Sequence, residues 1–188
     1  MRSCARVRVA EHRDVEALAQ LADATAVPAA RLKVHPDRRR RYAELVGLSD
    51  RVMLVAVDER TEQVVGVVVG VEGEVGALTA VPAMIVNHLV VDSTFRKRGV
   101  GRALLAGIVR NADERGIEQV VVSVSTGDRD ANRYLARLGF TPLVVRRIAS
   151  TNSLRRSLGM ADVVDRADLR RRRGMRAVLP SRIASRGA

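Results

Sequence analysis

An apolar run from Met84 to Val91, a basic turn Phe95-Arg96-Lys97-Arg98-Gly99-Val100-Gly101-Arg102 and a helical pattern from Ala103 to Ala112 follow closely on one another. That order reads as strand, anion-gripping loop and helix. Two glycines two residues apart let backbone N–H groups turn toward an anion with no Cβ in the way. The helix that follows adds its unpaired amides and positive dipole end. A pyrophosphate suits such a loop. The dinucleotide fingerprint G-x-G-x-x-G fails here, because its third glycine position holds Leu104. The nucleotide-binding pattern G-x-x-x-x-G-K-[ST] occurs nowhere in the chain.

Elements on either side can be read from periodicity and punctuation. Val7-x-Val9 gives a first strand, and Asp14 starts a helix with Val15, Leu18, Ala19, Leu21 and Ala22 at helical spacing. Thr25 to Lys33 reads as loop or irregular helix, and Pro36-Asp37 opens a second helix that Gly47 closes. Val52 to Val57 and Val64 to Val71 are β-branched runs forming a hairpin across Asp58 to Gln63. Gly73, Gly76 and Pro82 mark a connection before strand four, residues 84–91. Leu104, Leu105, Ile108, Val109 and Ala112 share one helix face, Gly116 ends that helix, and Val120 to Val124 make strand five. Asp128 or Asp130 caps a last helix with Ala131, Tyr134, Leu135 and Leu138 on its apolar face, and Phe140 to Val145 form strand six. Ala161 to Arg173 reads as a further basic helix.

The loop pattern Arg96-x-x-Gly99-x-Gly101 is preceded by His88-Leu89-Val90-Val91-Asp92 and followed by Ala131-Asn132-Arg133-Tyr134-Leu135-Ala136-Arg137-Leu138-Gly139-Phe140. Together these segments resemble the GNAT acetyltransferase superfamily over about residues 5–145. The resemblance implies an α+β fold with a mixed, mostly antiparallel sheet of six to seven strands, helices on both faces, and strands four and five splayed. It implies acetyl-CoA as cosubstrate and no metal. The pantetheine arm would pair with the backbone of Leu89, Val90 and Val91, and the pyrophosphate would sit on Arg96, Lys97, Arg98, Gly99, Val100, Gly101 and Arg102. Asp128 stands where relatives often have an asparagine that contacts the cofactor, with Asn132 a nearby substitute and a plain helix cap the alternative for Asp128.

The proton-handling positions depart from that pattern. Many members protonate the departing thiolate with a tyrosine five residues before the phenylalanine of Leu-Gly-Phe, and that position is Leu135 here. Tyr134 is the candidate in its place, though it lies about 100° round the helix. Positions that carry a carboxylate or histidine in relatives read Ile85, Asn87 and Ser123, none of which abstracts a proton. His88 has the opposite strand parity to Asn87 and is expected to pack under the sheet, with a role as base the lesser alternative. Glu44 and Glu72 are further bases that sequence cannot place. A site lacking a strong base favours an acceptor that is already neutral. An α-amine of pKa about 7.7 to 8.0 is far more neutral near pH 7 than a lysine of about 10.4. The expected acceptor is therefore a small-molecule amine or an N-terminus. The first two helices of the family border the acceptor cleft, and Arg31, Lys33, His35 and Arg38 to Arg41 make this stretch basic, which would suit a carboxylate or phosphate on the substrate.

Composition bounds the alternatives. A chain of 188 residues has room for one domain of ordinary size. No apolar run reaches the roughly 18 to 20 residues that span a bilayer, and the N-terminus lacks a signal peptide's pattern, so a cytoplasmic protein is expected. Cys4 is the sole cysteine and the three histidines are scattered, which excludes an intramolecular disulfide and argues against a metal centre. Residues 146–188 carry 12 Arg against 3 Asp, so most of the net charge of +12 sits in a basic extension beyond a domain at 1–145. Such an extension can touch nucleic acid or the ribosome, but with two Phe, two Tyr and no Trp in the chain any contact would be weak and salt-sensitive. Two other roles remain open: an acyl-CoA-binding sensor of the same fold with little turnover, and a nucleic-acid-associated protein acting through its tail. A homodimer is also left open.

Overall fold

The computed structural model describes residues 5–24, 37–76, 78–125 and 127–160. The chain divides into two compact units, Met1–Thr141 and Pro142–Ala188. The first unit is built on a five-stranded sheet in the order β1 (Ala5–Val9), β2 (Arg51–Asp58), β3 (Val64–Val75), β4 (Val81–Val91) and β5 (Gln119–Val122). Neighbours pair antiparallel except β4 and β5, which run parallel. Around the sheet lie α1 (Val15–Ala24), α2 (Arg38–Leu45), α3 (Val100–Glu114) and α4 (Arg129–Arg137).

The central strands are valine-rich without alternation because both their faces are covered. Val52 to Val57 are all buried, and they divide between two cores. Val52, Leu54 and Ala56 join Val68, Met84 and Val86 under α3, whose Val100, Leu104, Ile108 and Ala112 recur at four-residue spacing. Met53, Val55 and Val57 join Val67 and Val69 on the opposite face, with Leu18, Ala19 and Leu21 of α1 and Tyr42 of α2. Each fully buried Leu, Val or Ile contributes about 1.5–3 kcal/mol, so the two clusters fix which helix covers which face. At Gly107, a Cβ would lie 2.6 Å from Leu54 Cδ1 and 3.3 Å from Val7 Cγ1, which lets α3 settle directly on β1 and β2.

Local chemistry shapes the ends. Arg8 donates two hydrogen bonds to the buried Asp14 carboxylate, at 2.7 and 2.8 Å, and Asp14 also accepts from the Glu11 N–H at 2.8 Å. This ties the start of α1 to β1. The β2–β3 turn closes on Asp58, whose carboxylate accepts from the Thr61 N–H and hydroxyl at 3.1 and 2.8 Å. Asp37 and Asp128 cap α2 and α4, accepting from the Arg40 and Ala131 N–H groups at 2.9 Å in each case.

Three expectations change. Among the described residues the sheet has five strands rather than six to seven, and residues 140–145 form no strand. Pro142 brings no N–H to a ladder, and Leu143, Val144 and Val145 are exposed. The β3–β4 hairpin runs longer than its glycines and proline imply: Gly73 pairs with Ala83 and Glu74 with Pro82 inside it. In the second unit, Thr151–Ser157 forms a short helix, α5, started by the Ser150 hydroxyl accepting from the Ser153 N–H at 3.1 Å. It has no apolar periodicity by which to be read. Cys4, the 25–33 stretch with Arg31 and Lys33, His35, and the 161–173 segment lie outside the described residues.

Candidate active site

The β4–β5 ladder is four residue pairs long, from Ala83 opposite Gln119 to Val86 opposite Val122. One more bond follows, from the Ser123 N–H to the Val86 carbonyl at 2.9 Å, and then the strands part. On its other edge β4 continues against β3 as far as Val91. The Asp92 N–H donates to the Val65 carbonyl at 2.9 Å, so the two-residue alternation turns the backbone groups of Val90 toward β3 and those of Leu89 and Val91 toward the open side. Of the three residues expected to offer backbone there, Leu89 and Val91 do so and Val90 faces its neighbour.

A β-bulge aligns this opening. Val69 pairs with His88 but Gly70 pairs with Val86, leaving Asn87 as the extra residue. Val86 and Leu89 both pack into the core under α3, so the two residues between them, Asn87 and His88, both point to the face of α1 and α2. His88 therefore does not have the parity opposite to Asn87 that strict alternation predicts. Its Nε2 lies 3.1 Å from the Tyr42 hydroxyl on α2. Burial, and then the charge of Arg38, hold its pKa below the ordinary 6.5, so the ring is neutral near pH 7. Asn87 Oδ1 and Ser123 Oγ sit 3.5 Å apart across the point where the strands part.

Beyond β4, the Asp92 carboxylate accepts from the Thr94 N–H and hydroxyl at 2.8 and 2.6 Å, which starts a tight turn over Ser93–Phe95. The Thr94 hydroxyl and then its N–H hold the Asp92 pKa below the ordinary carboxylate range. Arg96 donates from Nε to the Val91 carbonyl at 3.4 Å, and the Arg98 guanidinium lies over the Phe95 ring at 5.2 Å from its centroid. Lys97 and Gly99 take left-handed backbone at φ 61° and 84°. For a lysine that conformation is uncommon. Gly99 begins α3 without any side-chain cap, unlike Asp37, Asp128 and Ser150 at the starts of α2, α4 and α5. The first amides of α3 are thus left for a ligand, with the helix dipole behind them.

Across from this turn stands Tyr134 of α4. Its hydroxyl is shut off from solvent, has no hydrogen-bond partner among the described residues, and lies 3.9 Å from where a Cβ on Gly101 would be. Burial raises its pKa above 10.0, with the Arg102 charge pulling the other way. Leu135, at the usual tyrosine position, is buried in its place. Asp128 is occupied as the α4 cap, and Asn132 donates to the carbonyls of Ser125 and Asp128 at 2.8 and 2.6 Å, so both residues brace the loop before α4. Glu44 accepts from Arg40 and Arg41, and Glu72 pairs with Arg115. Neither carboxylate is a spare base. Arg39 likewise pairs with Glu16, so the basic stretch of α2 is largely compensated.

An acyl-CoA suits this chemistry on three grounds internal to the chain. The backbone of Leu89 and the N–H of Val91 offer strand-like pairing to amides, the uncapped α3 start offers N–H groups to a pyrophosphate, and the orphaned Tyr134 hydroxyl lacks a partner that a ligand can supply. Sequence reasoning missed the bulge and the partnership of Tyr42. The scarcity of aromatics was the available signal, since both tyrosines of the chain border this region.

Among solved structures, the chain resembles a transcriptional regulator from Bacillus halodurans C-125 at 20% identity and TM-score 0.64, covering 78% of this chain and 99% of that one. It resembles a ribosomal-protein-alanine N-acetyltransferase from Brucella melitensis biovar Abortus 2308 at 18% identity and TM-score 0.62, covering 78% and 99%. An aminoglycoside N-acetyltransferase, AAC(6')-Iy, in complex with CoA is similar at 16% identity and TM-score 0.65, covering 78% and 94%. These likenesses establish the fold. No curated protein sequence matches the chain. The sequence model of the acetyltransferase (GNAT) family matches residues 16–140, and the chain belongs to that family.

Proposed function

We propose that this protein transfers an acetyl group from acetyl-CoA directly to an amine, with a preference for amines of low pKa. The observation that carries the reading is the adjacency of the open Leu89 and Val91 backbone to the uncapped start of α3. When bound, acetyl-CoA supplies an activated acyl carbon on a thiol leaving group. The residues of this chain supply position: β4 holds the arm, residues 96–102 hold the pyrophosphate, and the parted strands leave an approach from the α1–α2 face. Positioning alone is worth about 7–11 kcal/mol of a barrier, more than the 10²–10⁴-fold supplied by one acid or base. Tyr134, kept protonated by its burial, is the hydrogen-bond donor for the departing thiolate.

The acceptor preference follows from protonation. A neutral α-amine attacks without first losing a proton, whereas a lysine must lose one, and no free carboxylate lines the opening among the described residues. Two of the similar structures are named as N-acetyltransferases, one for a ribosomal-protein alanine and one for aminoglycosides, which supports an amine acceptor as a class. The transfer function is assigned to residues 1–145, with the basic extension 146–188 outside it. The test is CoA release from acetyl-CoA with a panel of α-amino amides, small aliphatic amines and a lysine peptide, alongside thermal unfolding with acetyl-CoA. Binding should stabilise the fold by about 2.7 kcal/mol at a hundredfold over the dissociation constant. Faster turnover of the lysine peptide than of the α-amines would reject the preference. Protection without turnover of any amine would favour an acyl-CoA sensor instead.

A further inference from the structure

We infer that the outer face of α3 is a homodimer interface, on which a second copy of this chain packs its own α3 antiparallel. Arg102, Ala106 and Val109 of α3 line an apolar groove of about 230 Å³ together with Val120 of β5 and with Leu138 and Phe140 just past α4. Among the described residues β5 is the edge of the sheet, so no further strand covers this side. Val109 is 46% exposed and Leu138 38%, although fully covering such a side chain stabilises by about 1.5–3 kcal/mol. An apolar groove flanked by charged side chains is the usual mark of an interaction site.

The charges beside the groove identify the occupant. Ala106, Val109 and Asp113 follow one another at three- and four-residue steps, which keeps them on one helix face with Arg102. Arg102 and Asp113 therefore mark the two ends of one stripe, about 16 Å apart along the axis at about 1.5 Å per residue. Both are exposed, and neither has an ion-pair partner among the described residues. By contrast, Arg39, Arg40, Arg41 and Arg51 each pair with a carboxylate. Arg110, one turn before Asp113, leans the other way, its Nη2 3.9 Å from where a Cβ on Gly107 would lie.

In a twofold interface, a residue that meets a second residue on the partner is met by it in return. Along α3 the midpoint of Arg102 and Asp113 is also the midpoint of Ala106 and Val109. An antiparallel pair of α3 helices centred there sets each Arg102 against the partner's Asp113, and each Val109 against the partner's Ala106. The small Ala106 lets the two helices approach, and each α3 ridge enters the groove beside the other. A parallel pair would instead place like charges together at both ends, which electrostatic complementarity forbids. An unrelated partner needs no such symmetry of charge, so the palindromic order singles out a second copy. The α3 amides that face the anion turn are not part of this surface, and the inference stands independently of the acetyl-transfer reading.

The experiment is sedimentation equilibrium of the full chain across about 1–300 μM, where a reversible monomer–dimer equilibrium is expected. V109E puts a charge into the apolar contact and should raise the dimer Kd at least about 100-fold. R102D and D113R each set like charges together at both ends and should each raise it about tenfold. Mixing R102D with D113R restores opposite charges at both ends, so the mixture should dimerise with near wild-type affinity. Far-UV circular dichroism checks that each variant is folded. Should R102D not fold, D113R mixed with wild type decides, because one good and one bad contact predict a Kd between the two parents. A wild type that stays monomeric throughout overturns the inference and leaves the groove to another polypeptide. A dimer that V109E leaves intact, or that mixing does not recover, also overturns it by placing the interface elsewhere.

Discussion

The Tyr134 hydroxyl lies buried beside Gly101, 3.9 Å from where a Cβ on that glycine would stand, and no atom of the described chain satisfies it. Leaving a buried hydroxyl unpaired costs about 1–3 kcal/mol, so removing it should relieve the free protein. Y134F is expected to be about 1 kcal/mol more stable than wild type without ligand while losing part of the protection given by acetyl-CoA. Chemical denaturation with and without acetyl-CoA checks both halves.

Gly99 and Gly101 should respond differently to substitution. Gly99 has φ 84°, where any other side chain is strained by roughly 1–2 kcal/mol, so G99A should lower stability whether or not ligand is present. A Cβ on Gly101 meets only ordinary contacts, from Val91 at 3.8 Å and Tyr134 at 3.9 Å. G101E is therefore expected to fold and to lose acetyl-CoA protection, as read by thermal shift. It is the cleaner probe of the anion loop.

His88 should leave a signature in the pH dependence of stability. Its pKa is lowered from 6.5 in the folded protein, so on acidification the unfolded chain binds the proton first. Stability should therefore fall as pH drops below about 6.5, until the folded pKa is reached, and should rise again through the same window on returning to neutrality. H88Q should lack this slope, which urea midpoints at half-unit pH steps would show.

Asp14 acts in a lower pH window. Burial opposes its ionisation, but the Arg8 hydrogen bond, the Glu11 N–H and the neighbouring positive charges outweigh it, leaving the pKa below 3.8. Its stabilising contribution is complete above about 3.8 and is lost as pH falls through the folded value. D14A should cost about 3 kcal/mol near neutrality by leaving Arg8 unpaired, the low end for a broken buried pair because Arg8 is partly exposed. Urea unfolding at pH 7 measures it.

The α3 core offers a test independent of the site. Leu104 is fully buried beneath the sheet, and L104A should destabilise by about 2–5 kcal/mol, read from denaturant midpoints at constant slope.

What the sequence determined by itself was local. Asp37 caps the helix that the Pro36-Asp37 pair signals, and Asp128, one of the two candidates, caps α4, because a cap needs only the N–H three residues ahead. The valine runs of β2 and β3, the α3 face of Leu104 and Ile108, and the glycine turn before it are likewise settled within a few residues. The pairings that make a site were decided only in three dimensions. Asn87 gives no sign in sequence that it is a bulge, yet that one extra residue moves His88 to the other face, since side-chain period in a strand is two. Tyr42 and His88 are 46 residues apart, and Tyr134 meets Gly101 only because α4 and α3 converge at the parted strands. Phe140 to Val145 has the composition of a strand but no ladder to join, because a strand's bonds belong to its neighbour and cannot be read from the segment alone.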